Sequence, residues 1–211
     1  MVLFQEDEGE GGDWRVNEKG RADGMKKARI KLAESIGANR STYIHCDVTD
    51  ENQVKSLVES TVQLYGQLDI IFCNAGVMSF GGQTVLDFDL DSHDKLFAIN
   101  VRGVAACLKH AARAMVEGGI KGSIICTAST IASVGRWRLL CRARQSAWEW
   151  RRRRRLAFEP HYCLEGVLKA KHVADAVVFL ASGDSEFVTG HNLVVDGGYH
   201  FQGSLKYDHV E

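Results

Sequence analysis

Proline occurs once in these 211 residues, at Pro160, and none of the six cysteines stands in a C-x-x-C pair. Cys46, Cys73, Cys107, Cys126, Cys141 and Cys163 are scattered, most of them in apolar stretches where a free thiol packs as a small hydrophobe. That usage points to a reduced, intracellular protein. The eight histidines show no metal-ligand spacing, and the close pair His191 and His200 reads as surface, so no metal is expected. No apolar run approaches ~18 residues, and the acidic start MVLFQEDEGEGGD is unlike a signal or transit peptide. A soluble, cytoplasmic chain without a membrane partner is the expectation.

What is present suits one globular domain: 45% of residues are hydrophobic and 25% charged. The net charge of −1 is unevenly spread. From Arg136 to Arg155 nine arginines face one acid, Glu149, so that stretch carries +8 and the remainder −9. Trp137, Trp148 and Trp150 fall in the same block.

Residues 1–24, rich in Gly, Asp and Glu, read as a disordered acidic arm ahead of a single domain at 25–211. From Met25 a short helix runs to Gly37, followed by a β-rich segment, TYIHC, at 42–46. Asp50 with Gln53 forms a capping-box pattern. Val54, Leu57, Val58, Val62 and Tyr65 then follow at helical spacing as far as Gly66. LDIIFC (68–73) and SIICTA (123–128) are buried-strand runs on either side of a helix expected over 92–116. A helix at 172–182 and a short strand at 192–198 complete the pattern. Strands alternating with helices imply an α/β open sheet, in which ligands sit beyond the carboxyl ends of the strands.

Those carboxyl ends carry CDVTD (46–50), CNAGV (73–77) and GSIICTAS (122–129), joined by NVRG (100–103) and FVTGHNLVVDGGY (187–199). In that order they resemble the short-chain dehydrogenase/reductase family, most closely its plant branch acting on secondary alcohols of terpenoids and phenolics, such as momilactone A synthase-like and secoisolariciresinol dehydrogenase-like enzymes. The motifs cover about 42–135 and 166–199. The resemblance implies a Rossmann-like doubly wound sheet and an NAD or NADP cofactor. It implies that Asp47, with Val48 beside it, bonds the adenine amino group, and that Asn74, Ala75 and Gly76 wall the adenine ribose. It also implies that Asn100 holds a water in a proton relay and that Ser129 bonds the substrate oxygen. Taken singly, Asp47 and Asn74 to Gly76 read equally as strand ends, Asn100 as an ordinary helical polar residue and Ser129 as a turn former. Their order along the chain carries the resemblance.

Two family features are missing. No Thr-Gly-x-x-x-Gly-x-Gly turn is present to cradle a pyrophosphate with backbone N–H groups, since Gly9, Gly11 and Gly12 lie among acids after no convincing strand. The Tyr-x-x-x-Lys pair is also missing: Arg142 and Ser146 stand where it would fall after Ser129. By the same resemblance the strand order would be 3-2-1-4-5-6-7 with strands 1, 2 and 6 lost. That leaves strands 4 and 5 paired, strands 3 and 7 alone, and a marginal fold with open edges. Residues 136–165 read as a non-family insert, a reading-frame or splice product.

Three functional readings follow. The first is a dehydrogenase ancestry with catalysis severely impaired. The second is a non-enzymatic remnant that assembles with itself or with an intact paralogue. The third, least favoured, is a nucleic-acid binder built on the Arg/Trp block.

Overall fold

The computed structural model describes residues 18–37, 40–78, 86, 88–130 and 163–201, in two compact units, the first Met1–Phe80 with Asp89–Cys126 and the second Gly81–Phe88 with Thr127–Glu211. The acidic residues before Glu18 and the Arg/Trp block from 136 to 162 lie outside the described residues.

The first unit opens with α1 (Glu18–Ile36), which begins seven residues before Met25. Residues 18–24, read above as arm, are thus helical, and their polar composition gave no apolar period to mark the start. Gly37, at φ 110°, ends α1. In α2 (Glu51–Tyr65) the Asp50 side chain caps by accepting from the Asn52 N–H at 2.9 Å. Gln53 departs from the capping-box form: its amide donates to Asp50 at 3.1 Å and its oxygen accepts from the Asp47 N–H at 3.0 Å. The helix cap and the turn before it are therefore one hydrogen-bonded piece. Val54, Leu57 and Val58 are buried as the periodicity predicts, while Tyr65 is exposed and shares a bond with the Thr42 hydroxyl.

β1 (Ile70–Cys73) pairs in parallel with β2 (Ser123–Cys126), in register from Ile70 opposite Ser123 to Cys73 opposite Cys126. Gly122 lets them close: a Cβ there would stand 2.5 Å from the Asp69 carbonyl and 2.7 Å from Met115. Between the strands run α3 (Leu90–Phe97), a π-helical segment (Ala98–Gly103) and α4 (Val104–Glu117), where a continuous helix was expected. α4 buries Cys107, Ala111 and Met115 against Ile71, Cys73 and the apolar face of α2.

The segments at 42–46 and 192–198 are a correction, for neither joins a ladder. A strand needs a neighbour for its N–H and C=O groups, and the neighbours implied by the family order are those the sequence lacks. Among the described residues the sheet is the β1–β2 pair. Cys46 and Val48 still reach the core from the first of these segments.

In the second unit α5 (Ala170–Ala181) starts two residues before the expected His172 and buries none of its residues. The closing turn is held by Asp196, whose carboxylate accepts from the backbone N–H of Gly198 and of His200, each at 2.9 Å. Among the described residues no helix is long and apolar enough to cross a membrane.

Glu51 joins α2 to α4: it accepts from Lys109 at 2.6 Å and meets His110 Nε2 at 3.2 Å. The Lys109 bond, followed by the one to His110, lowers its pKa below the ordinary 4.5. A carboxylate lowered by folding contributes stability above its ordinary value, and that contribution is lost as the pH falls through the lowered one. Glu51→Gln should therefore lower stability at neutral pH and flatten the loss below pH 4.5. Urea denaturation at a series of acid pH values checks this, and unchanged pH dependence would exclude the coupling.

Candidate functional site

Of the family-implied residues, Asp47 and Val48 lie where the 41–47 segment ends, Asn74 to Gly76 follow β1, Asn100 lies in the π segment and Ser129 lies beyond β2. Asp47 makes a tight local turn: its Oδ1 accepts from the Thr49 N–H at 2.9 Å and from the Thr49 hydroxyl at 2.8 Å. Among the described residues no hydrogen bond reaches Oδ2. One carboxylate oxygen holds the turn and the other is available to a donor from outside. Thr49 is held in turn by Arg102, which donates to its carbonyl at 2.8 Å.

Val48 is buried and packs against Gly103, where a Cβ would lie 2.7 Å from Val48 Cγ2 and 3.2 Å from its carbonyl oxygen. The π segment can approach the Val48 backbone only because position 103 has no side chain. Val48 and Ala75 line one tight crevice with Cys73, Ile99, Gly103, Val104 and Cys107. Burial pushes the Cys46 thiol, next to Asp47 in sequence, up to about 12, so it behaves as an apolar filler.

Asn100 does not stand free in a helix. Its Oδ1 accepts from the Val77 N–H and its Nδ2 donates to the Val77 carbonyl, both at 2.8 Å. This two-point clamp fixes the turn of Asn74, Ala75 and Gly76 to the helix opposite. A side chain at Gly76 would press on the same amide, its Cβ 3.3 Å from Asn100 Oδ1. Asn100→Ala would leave the part-buried Val77 N–H and C=O without their side-chain partners, at a cost of about 1–3 kcal/mol. Faster hydrogen exchange at Val77, together with a lower denaturation midpoint, is the expected result, and unchanged Val77 protection would exclude the clamp.

The structure thus brings Val48, Ala75, Gly76 and Asn100 together around one turn, with Asp47 at its border and Asn74 exposed. Ser129 is exposed three residues beyond β2 and belongs to the second unit. Sequence reasoning gave no role to Gly103, Thr49 or Arg102, although Gly103 closes the quoted NVRG. Among the described residues no group of His, Cys, Asp or Glu could hold a metal ion.

A family model described as enoyl-(acyl carrier protein) reductase matches residues 14–139 and 143–200, a wider span than the motifs alone cover and one that takes in the Arg/Trp block except residues 140–142. The chain is 42% identical to the (−)-isopiperitenol/(−)-carveol dehydrogenase, mitochondrial, of Mentha piperita, over 79% of this chain and 77% of that one. It is 40% identical to the (+)-cis,trans-nepetalactol synthase NEPS2 of Nepeta racemosa, over 84% and 81%. Among solved structures, a short-chain type dehydrogenase/reductase from Mycobacterium marinum superposes with a TM-score of 0.68 at 28% identity, covering 84% of this chain and 81% of the other.

Proposed function

The chain belongs to the short-chain dehydrogenase/reductase family, and on that premise we propose that it keeps the adenosine half of an NAD(P) site while its hydride transfer is severely impaired. The ancestral reaction in this reading is exchange of hydride between a nicotinamide and a secondary alcohol or ketone of plant secondary metabolism. The terpenoid names of the Mentha and Nepeta relatives support that substrate class. A cytoplasmic location belongs to the same proposal and rests on the reduced thiols.

The observation that carries it is the division of labour at Asp47, with Oδ1 bound to Thr49 and Oδ2 left for a donor such as an adenine amino group. Gly76, beside the Asn100 clamp, leaves room for a ribose to approach the backbone. The adenosine half of the cofactor therefore fits. The pyrophosphate half does not, since the sequence holds no glycine-rich turn of the family form. A bound nicotinamide would supply the hydride acceptor. In the ancestral reading Ser129 would bond the substrate oxygen and Asn100 would hold a water of the proton relay.

Titration of the full chain with NADH, NADPH and AMP tests this. All three are expected to bind weakly and with similar affinity, near millimolar (~4 kcal/mol), because they share the adenosine. Asp47→Ala should weaken each about 10- to 100-fold through the lost charged hydrogen bond. Micromolar NADH binding that ignores Asp47→Ala would reject the reading.

A second reading, assembly with a further copy or an intact paralogue, is favoured by apolar side chains left in solvent on and between α3 and α4. Leu90 is 66% exposed, Val101 52% and Val116 79%. Pull-down with a full-length relative should recover the chain, and failure to do so removes this reading. The nucleic-acid reading concerns residues outside those described.

A further inference from the structure

The thiols of the core are more ordered than filler requires. All five described cysteines are free, and Cys73 and Cys126 occupy the last positions of β1 and β2, opposite one another in the parallel register. Partners in such a pair project to the same face, and adjacent strands run about 4.8 Å apart. That separation lies inside the Cα range of about 4.4–6.8 Å that a disulfide spans. Cys73 is buried and Cys126 is exposed as a residue, so the pair stands at the border of the core.

We propose that Cys73 and Cys126 form a reversible disulfide when the chain meets a hydroperoxide, tying the carboxyl ends of β1 and β2 together. The Cys126 thiolate attacks the peroxide, forming an S–O bond as the O–O bond breaks and an alkoxide or hydroxide leaves. The Cys73 sulfur, losing its proton, then attacks the sulfenic sulfur. An S–S bond forms, the S–O bond breaks, and the departing hydroxide takes the proton as water. Two thiols are oxidised and the peroxide is reduced by two electrons, and a small thiol such as glutathione reverses the link by exchange.

The surrounding chemistry sets the order of events. Hydrogen bonding to Cys107, and burial after it, push the Cys73 thiol up, while burial pushes Cys126 up as well. Attack on the peroxide is then the slow step, and Cys73 waits as a thiol in contact with Cys126. Register partners in parallel strands must rotate inward to close the bond, and a bond formed under such strain is readily reduced. The functional consequence rests on the nucleotide reading above: Asn74 directly follows Cys73, and Ala75 shares its crevice, so drawing Cys73 toward β2 displaces the turn that Asn100 pins.

The test uses the full reduced chain, exposed to hydrogen peroxide, alkylated with N-ethylmaleimide, digested and mapped by mass spectrometry. A Cys73 peptide joined to a Cys126 peptide, separated again by dithiothreitol, is the expected product. In Cys126→Ser the Cys73 thiol should remain open to alkylation after unfolding. Cys126 recovered as an unlinked sulfinic acid, or Cys73 joined to Cys107 in the unsubstituted chain, overturns the proposal. NADH titration before and after peroxide separates the two claims, with a loss of about 5- to 150-fold expected for coupled sites. A disulfide formed in a chain that never bound NADH sinks the nucleotide reading and leaves the disulfide standing. NADH binding in a chain whose thiols never join does the reverse.

Discussion

Supplied with NAD⁺ or NADP⁺ and a secondary terpenoid alcohol, the purified chain is expected to oxidise it about 10²- to 10⁴-fold more slowly than an intact relative, the rate gain that a positioned acid/base group contributes. Arg142 stands where the proton-exchanging tyrosine would follow Ser129, and Ser146 where its lysine would. A guanidinium has no acceptor and does not deprotonate, so it cannot take the proton that an alcohol releases. A serine hydroxyl carries no charge to lower the pKa of a neighbour. Without a glycine-rich turn the pyrophosphate would be held weakly, which would add to the expected deficit by loosening the approach of nicotinamide to substrate. Single-turnover absorbance at saturating cofactor, beside the Mentha dehydrogenase, measures the difference. Turnover within about tenfold of the relative would mean that another group on this chain exchanges the proton.

Ile71→Ala should cost about 2–5 kcal/mol, the range for truncating a fully buried aliphatic side chain. Ile71 is 0% exposed, in the middle of a four-residue strand, and packs in the cluster shared by α2 and α4. A broad sheet distributes such a loss over several strands, whereas among the described residues one ladder holds the layer together. Domains of this size are stable by about 5–15 kcal/mol, so this one change consumes a large share. The fall should appear as a lower urea midpoint of the full chain. Val116→Ala, at a site 79% exposed, serves as the control and should shift stability by less than about 0.5 kcal/mol. An Ile71 effect as small as that control would show that β1 is not central to the folded unit.

Local chemistry was readable wherever the cause lies within a few residues. Asp50 caps α2, Gly37 and Gly66 end α1 and α2 with positive φ, and LDIIFC and SIICTA supply the paired strands. The position of Asp47 was readable too, being a polar residue where an extended segment stops. Features set by distant residues were not. The π segment depends on Asn100 reaching Val77, twenty-three positions earlier, and on Gly103 touching Val48 across the core. TYIHC has strand composition, yet composition cannot supply the neighbour that would make it a strand. The helical start at Glu18 carries no apolar period, so nothing in the local pattern marked it.

The π segment also acts as a phase setter. Each residue of an α-helix turns the axis by about 100°, so one residue more or fewer between α3 and α4 rotates everything beyond it by over a quarter turn. As built, α3 buries nothing while α4 turns Cys107, Ala111 and Met115 inward. Deleting a residue from Ala98–Gly103 would swing those three away from β1 and bring exposed positions such as Leu108 toward it. The angular alignment of the core is thus set in the same six residues that pin the turn after β1, so neither can drift without the other.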